Sequence, residues 1–217
     1  DLNVMQIPIH REFRPIFILM PNMGSRFVLW QEIEGKRRQS SARMLLPIIM
    51  SENIRDNMLK LCGEFRWEMC KTEQGVHWND ISDPSLTAEY TDLLQFYKKN
   101  SSFTDDVKEK IKAELKKKNN NYKNVFVSDY HDYMRYESSG SMRLLKPVRE
   151  ILAKYCPFTG ETKDLLKTNP AYESFVERFN NHEAKNRRIV TLTIKRFQKE
   201  GIPVPDVLTA EEKYLSH

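Results

Sequence analysis

No uninterrupted apolar run in this 217-residue chain is longer than Ile16 to Met20, far below the roughly 20 residues that a membrane-spanning helix needs. No membrane association is expected. Glycine is scarce, with seven residues, and no GxxxxGK[ST], GxGxxG or GxSxG pattern places any of them where a phosphate loop or nucleophile elbow would need one. HExxH and paired CxxC motifs are missing too, so neither a nucleotide-hydrolase, a hydride-transfer nor a zinc-protease signature is present, and no cofactor is expected. Only three cysteines occur. Cys62 and Cys70 stand about 12 Å apart along a helix at 1.5 Å per residue, too far to pair, which leaves small buried thiols in a reducing compartment, the cytoplasm. There is no internal repeat and no low-complexity tract. The chain opens at Asp1 without an initiator Met or a signal-peptide pattern, and a piece of a longer protein is expected.

What is present is a hydrophobic fraction of 40% and 30% charged residues, a composition that supports a globular core. The strongest local pattern is Ser51 to Gly75. Ile54, Met58, Leu61, Cys62, Phe65 and Met69 recur at helical spacing, Ser51 is placed to cap, Glu52 and Lys71 match the helix dipole, and Gly75 can end the run. Phe65 lies on this stripe. Trp67 lies about 200° away from it and is buried only if the helix is enclosed on a second side.

Around this helix the rest of the chain falls into order. Residues 1–50 read as an extended arm, with Pro8, Pro15 and Pro21 bounding a short strand at Ile16 to Met20, a basic turn at residues 35–38, and a buried extended run over Met44 to Met50. Asp83 and Pro84 suit the start of a helix bearing Leu86, Tyr90, Leu93, Leu94 and Tyr97. A helix begins at Thr104, with Asp105 and Asp106 in its first turn and the narrow stripe Val107, Ile111 and Leu115, and is ended by the asparagines after Lys118. Ser128 is placed to cap a helix carrying Tyr130 and Tyr133, Pro147 suits the first turn of the next, and Pro157 ends it. A short helix over 161–167 precedes a long one from Pro170 to Lys199, apolar at its ends and polar between, with a break near Asn180 left open. The expectation is a mainly α, irregular domain of about six or seven helices with at most one or two short strands near the N-terminus. Its parts are an arm over 1–50, a helical domain over 51–168, and a long helix and tail over 169–217 packed on the same domain.

Three polar groupings are candidate sites. Asp129, His131, Asp132 and Glu137 lie within nine residues, but at about 100° per residue they point apart, so one metal would not meet all four. His77, Trp78 and Asp80 occupy a turn, a place where ligand-contacting residues occur but also where Asn and Asp serve local hydrogen bonding. The loop Ser138 to Ser141 followed by Arg143 resembles an anion cradle. The charge pattern is more telling: residues 108–123 carry seven lysines against two glutamates, and residues 185–199 carry six Lys or Arg and no acid. Lys116, Lys117, Lys118, Arg187 and Arg188 are therefore the candidate phosphate contacts, together with Arg143.

The leading expectation is a non-enzymatic, regulatory or protein-interaction domain whose partner is another protein or another domain of a longer chain. The second is weak nucleic-acid binding through segments 108–123 and 185–199. The third is a small ligand-binding or metal-dependent enzyme site assembled from His77, Asp80, Asp129 and His131. An exposed apolar patch favours the first, a basic face the second and a closed polar pocket the third.

Overall fold

The computed structural model describes residues 13–21, 23–30, 42–49 and 53–215. The expected Ser51 cap, the arm over residues 1–12 and the basic turn at 35–38 lie outside the described residues. The chain divides into two compact units, one from Phe13 to Thr162 and one from Lys163 onward. The fold is mainly helical, with eight α-helices and one small sheet among the described residues.

In the first unit β1 (Ile16–Met20), β2 (Val28–Trp30) and β3 (Arg43–Pro47) form a sheet of order β1-β3-β2. β1 runs parallel to β3, in the register Ile16 to Arg43 and Met20 to Pro47, and β2 runs antiparallel to β3 with Val28 opposite Leu45. The two-residue period of β3 sends Met44 and Leu46 to one face, where they meet Leu61 and, around it, Phe27, Leu29, Met58 and Phe65. This covers one side of α1 (Ile54–Gln74).

The other side of α1 is covered as well, and that corrects the expected orientation. Ile54 is exposed and Phe65 half-buried, whereas Trp67 retains only 3% of its surface. α4 (Tyr122–Arg135) packs along α1 on the Trp67 side, and α2 (Leu86–Phe96) joins it there. The Trp67 ring lies 5.2 Å from Phe126, 6.0 Å from Tyr90 and 6.2 Å from Trp78, the last two edge-on as aromatic quadrupoles favour. Gly63, one turn before Trp67, makes this approach fit: a Cβ there would sit 3.0 Å from the Tyr130 ring. Gly75 ends α1 at φ +57°, a conformation that favours glycine.

Two helix starts differ from expectation, both because a side chain competes better as a cap. Ser85, and not Asp83 with Pro84, starts α2: its backbone is extended and its hydroxyl accepts from the Ala88 amide at 3.2 Å. Asn121, and not Ser128, starts α4, accepting from the Asn124 amide at 3.1 Å. Val125 and Phe126 are thereby inside the helix and buried. Between α3 (Asp105–Lys117), capped by Thr104, the expected start, and α4, Asn119 and Asn120 take the positive φ values of 54° and 57° that asparagine tolerates. α5 (Lys146–Tyr155) packs on α2 and α4, and Tyr133 stacks on Phe158 at 4.2 Å.

In the second unit α6 (Gly160–Lys167) leads to α7 (Pro170–Lys199), capped by Asn169 and unbroken through Asn180 and Asn181. Gly201 at φ +68° reverses the chain. A helix absent from the sequence expectation, α8 (Asp206–Leu215), then folds back so that Leu208 and Leu215 bury Val190, Ile194 and Phe197. Lys163 reaches Glu183 at 3.0 Å and lies over the Phe179 ring, tying the middle of α7 to α6.

Enclosure of α1 on both sides fixes a stability order. Trp67→Ala is expected to cost about 3–5 kcal/mol, as truncation of a buried aromatic does, and Phe65→Ala roughly 1–2 kcal/mol. Urea unfolding of both variants checks it, and an equal or reversed order would contradict the packing described.

Candidate interaction surfaces

The polar side chains singled out in the sequence are mostly engaged with one another. His77 and Asp80 approach to 3.6 Å in an exposed turn, and Asp80 accepts from the Ser82 amide at 2.9 Å, which with the His77 contact holds its carboxyl below the ordinary value. Trp78 packs edge-on against Trp67 beneath the Lys71 ammonium, and its carbonyl accepts from the Thr87 hydroxyl. The turn is thus built by local bonds. Asp129 and His131 make no hydrogen bond or ion pair to it; Asp129 accepts from Tyr90 at 2.6 Å, and His131 lies between Asp56 at 3.2 Å and Asp132 at 3.0 Å. The Asp56 contact is an electrostatic approach without hydrogen-bond alignment, and Arg135 joins it at 3.4 Å. Among the described residues no group of three or more His, Cys, Asp or Glu is placed to hold a metal ion.

The loop read as an anion cradle already holds an anion, the chain's own Glu137. This carboxylate is fully buried and accepts from the amides of Arg143 at 3.0 Å and Leu144 at 2.7 Å. It also pairs with the Arg149 guanidinium, which in turn donates to the Leu144 carbonyl. Arg143 stacks its guanidinium 3.5 Å above the Tyr136 ring. Sequence reasoning missed Arg149 and Glu137 as partners because they are twelve residues apart with no periodic signal joining them.

Among the described residues Asp129 is the one carboxyl strongly displaced from its ordinary behaviour. Desolvation pushes it up to about 7, against the lowering effect of the Tyr90 hydroxyl, while Asp132 and Glu114 add to the rise and Lys118 opposes it. Burial likewise raises the Cys62 thiol and takes Cys156 to about 11, so neither is an activated nucleophile at neutral pH. A shallow open cleft of about 430 Å³, lined by Glu89, Asp92, Leu93, Phe96 and Ile151, is separate from all of these residues.

Two surfaces remain. The first is β1, at a sheet edge: Ile16, Phe17, Leu19 and Met20 expose 49%, 56%, 58% and 37% of their surface, and Trp30, Ile48 and Ile49 are exposed nearby. The second is basic, and here the two lysine-rich segments part company. On α3 and its continuation, Lys112 pairs with Glu109, Lys117 with Glu114 and Lys123 with Glu68, leaving Lys110 and Lys116 exposed and Lys108 and Lys118 half-buried. On α7, Lys185, Arg187, Arg188, Lys195 and Lys199 are exposed and make no ion pair among the described residues; Arg196 pairs with Glu200. The segments belong to different compact units.

The described residues are mainly helical, with an exposed apolar strand at a sheet edge and a basic stripe on a long helix. The chain belongs to the family described as Domain of unknown function (DUF8509), which matches residues 75–214, more than half of the chain. No curated protein and no solved structure matches it. The match takes in α2 to α8 apart from the final residue, whereas the sheet and α1 precede it.

The displaced carboxyl gives a pH dependence. Because the folded value of Asp129 lies above the ordinary 3.8, the native state holds a proton that the unfolded chain releases between about pH 4 and 7. Stability therefore falls as pH rises through that window and is level above it. Asp129→Asn keeps an acceptor for Tyr90 and cannot ionise, so it is expected to gain on the wild type by a few kcal/mol, on the order of the shift itself, between pH 4.5 and 8. Thermal unfolding of both proteins at the two pH values checks it; a constant difference would contradict the burial of this charge.

Proposed function

We propose that the protein is a non-enzymatic interaction domain that binds an extended apolar segment of a protein partner, or of another domain of a longer chain, along the edge of β1. The observation that carries this reading is β1 itself. Four of its five side chains are exposed and apolar, and no described strand pairs with its outer edge. The Ile16 amide donates to the Ala42 carbonyl and the Ile48 amide to the Met20 carbonyl, so Ile16 and Met20 turn their polar groups toward β3. By strand alternation, Phe17 and Leu19 turn theirs outward. An added strand would satisfy those groups while its side chains cover Phe17 and Leu19 on one face and Ile16 and Met20 on the other. Such an edge, left open, invites indiscriminate pairing, and natural sheets blunt it with charge or proline. β1 has neither within its five residues, although Pro15 and Pro21 bound it.

The cytoplasm suits this reading, since the three thiols are free and none is in a disulfide. A regulatory role follows if the strand comes from a neighbouring domain, because the edge would then be open or closed according to that domain's position.

Selection of nine-residue peptides from a displayed library against the whole chain tests the proposal. Enriched peptides are expected to alternate apolar residues, and Leu19→Pro, which removes an outward amide and blocks the edge, is expected to weaken them at least tenfold with an unchanged circular-dichroism spectrum. Peptides that bind the Leu19→Pro protein as well as the wild type, or a library that yields none, would overturn it.

A further inference from the structure

We propose that the outer face of α7 binds the phosphate backbone of double-stranded nucleic acid, a function separate from the β1 edge and carried by the other compact unit. At about 100° per residue, Lys185, Arg188, Lys195 and Lys199 fall within one stripe roughly 80° wide, with exposed Leu192 among them. The stripe extends about 21 Å at 1.5 Å per residue. It lies opposite Val190, Ile194 and Phe197, which α8 covers, so the fold itself turns the basic side outward. Arg187, adjacent in sequence, falls outside the stripe.

Pairing separates this surface from an ordinary solvated face. Elsewhere the chain places an acid three residues before a lysine, as in Glu109 with Lys112, Glu114 with Lys117 and Asp164 with Lys167. Along α7 Lys185 instead has Arg188 at i+3 and Lys195 has Lys199 at i+4, like charges on neighbouring turns that weaken a helix unless an anion joins them. No acid interrupts residues 184–199. Duplex nucleic acid presents one negative charge per about 1.7 Å of its axis, so a 21 Å stripe faces more phosphates than it has cations. Single strands are a poorer fit, because they are gripped by stacking on exposed aromatics and none of the α7 aromatics is exposed: Tyr172 and Phe197 are buried, and Phe175 and Phe179 are half-buried at the other end of the helix from the stripe. An anionic membrane is also a poorer fit: an interfacial helix inserts its apolar face, and here α8 occupies that face.

The test is titration of a labelled 24-base-pair duplex with the whole chain from 50 to 200 mM NaCl, beside vesicles of phosphatidylserine and phosphatidylcholine. Four phosphate contacts give log affinity against log salt a slope of about −3.6, with micromolar binding at the low-salt end and no sequence preference. Reversal of Lys185, Arg188, Lys195 and Lys199 to Glu is expected to weaken binding at least twentyfold. Arg188→Gln with Lys195→Gln, which leaves a net positive helix and guards against misfolding, is expected to reduce the slope by about 1.8. Reversal of Lys116, Lys117 and Lys118 to Glu is expected to change affinity less than threefold. Undetectable duplex binding at 50 mM NaCl, equal losses from the two sets of reversals, or tighter binding to the vesicles than to the duplex would each overturn the proposal. Leu19→Pro is expected to leave duplex binding unchanged, so failure here and failure of the β1 reading are distinguishable.

Discussion

Everything in the first unit depends on the indole of Trp67. It is where α1, α2, α4 and the turn after α1 meet, through Tyr90, Phe126 and Trp78. Aromatic rings bury large apolar surfaces, and the edge-on geometry of Trp67 with Tyr90 and Trp78 adds a favourable electrostatic component. The condition is close approach of α4 to α1, which Gly63 permits by leaving room for the Tyr130 ring. α1 is thus an inner helix, covered by a sheet on one side and by helices on the other.

Polar groups inside this unit serve mainly to fix the chain between helices. Glu137 and Arg149 are a buried pair, and such a pair offsets its desolvation only when every oxygen and N–H finds a partner. Here the carboxylate gathers two loop amides and a guanidinium, so the loop between α4 and α5 has one geometry. The Tyr90 hydroxyl joins α2 to α4 through Asp129. The same desolvation that makes this bond strong raises the carboxyl to about 7, which links the packing of α2 on α4 to pH.

The two surfaces proposed to meet partners differ in physics and in place. β1 has outward backbone groups that no described strand pairs, flanked by apolar side chains, where binding gains would come from strand pairing and buried area; α7 presents point charges in water, where gains would come from released counterions. α7 lies within the family-matched segment, and β1 precedes it. The basic face is therefore on the part of the chain that matches the family, while the apolar edge is on a part that the match does not reach.

The periodicity of the sequence determined the helices themselves: α1, α3, α5 and the two ends of α7 follow from apolar spacing, from Thr104 as a start, and from Pro147, Pro157 and Gly201 as punctuation, while the continuity of α7 through Asn180 was left open. β1 was legible from its proline boundaries, and the surplus positive charge of both basic segments from counting. Tertiary structure alone decided which faces of α1 are buried. Trp67 was off the stripe in sequence and is central in the fold, because burial depends on how many sides of a helix are covered, and no one-dimensional period encodes a second covering layer. α8 was missed because its buried set of Leu208, Glu211 and Leu215 has few apolar members and acquires meaning only against α7. Charge pairing was likewise undecided in sequence. Glu68 is remote from Lys123 along the chain, and only the packing of α4 on α1 brings them within 3.1 Å.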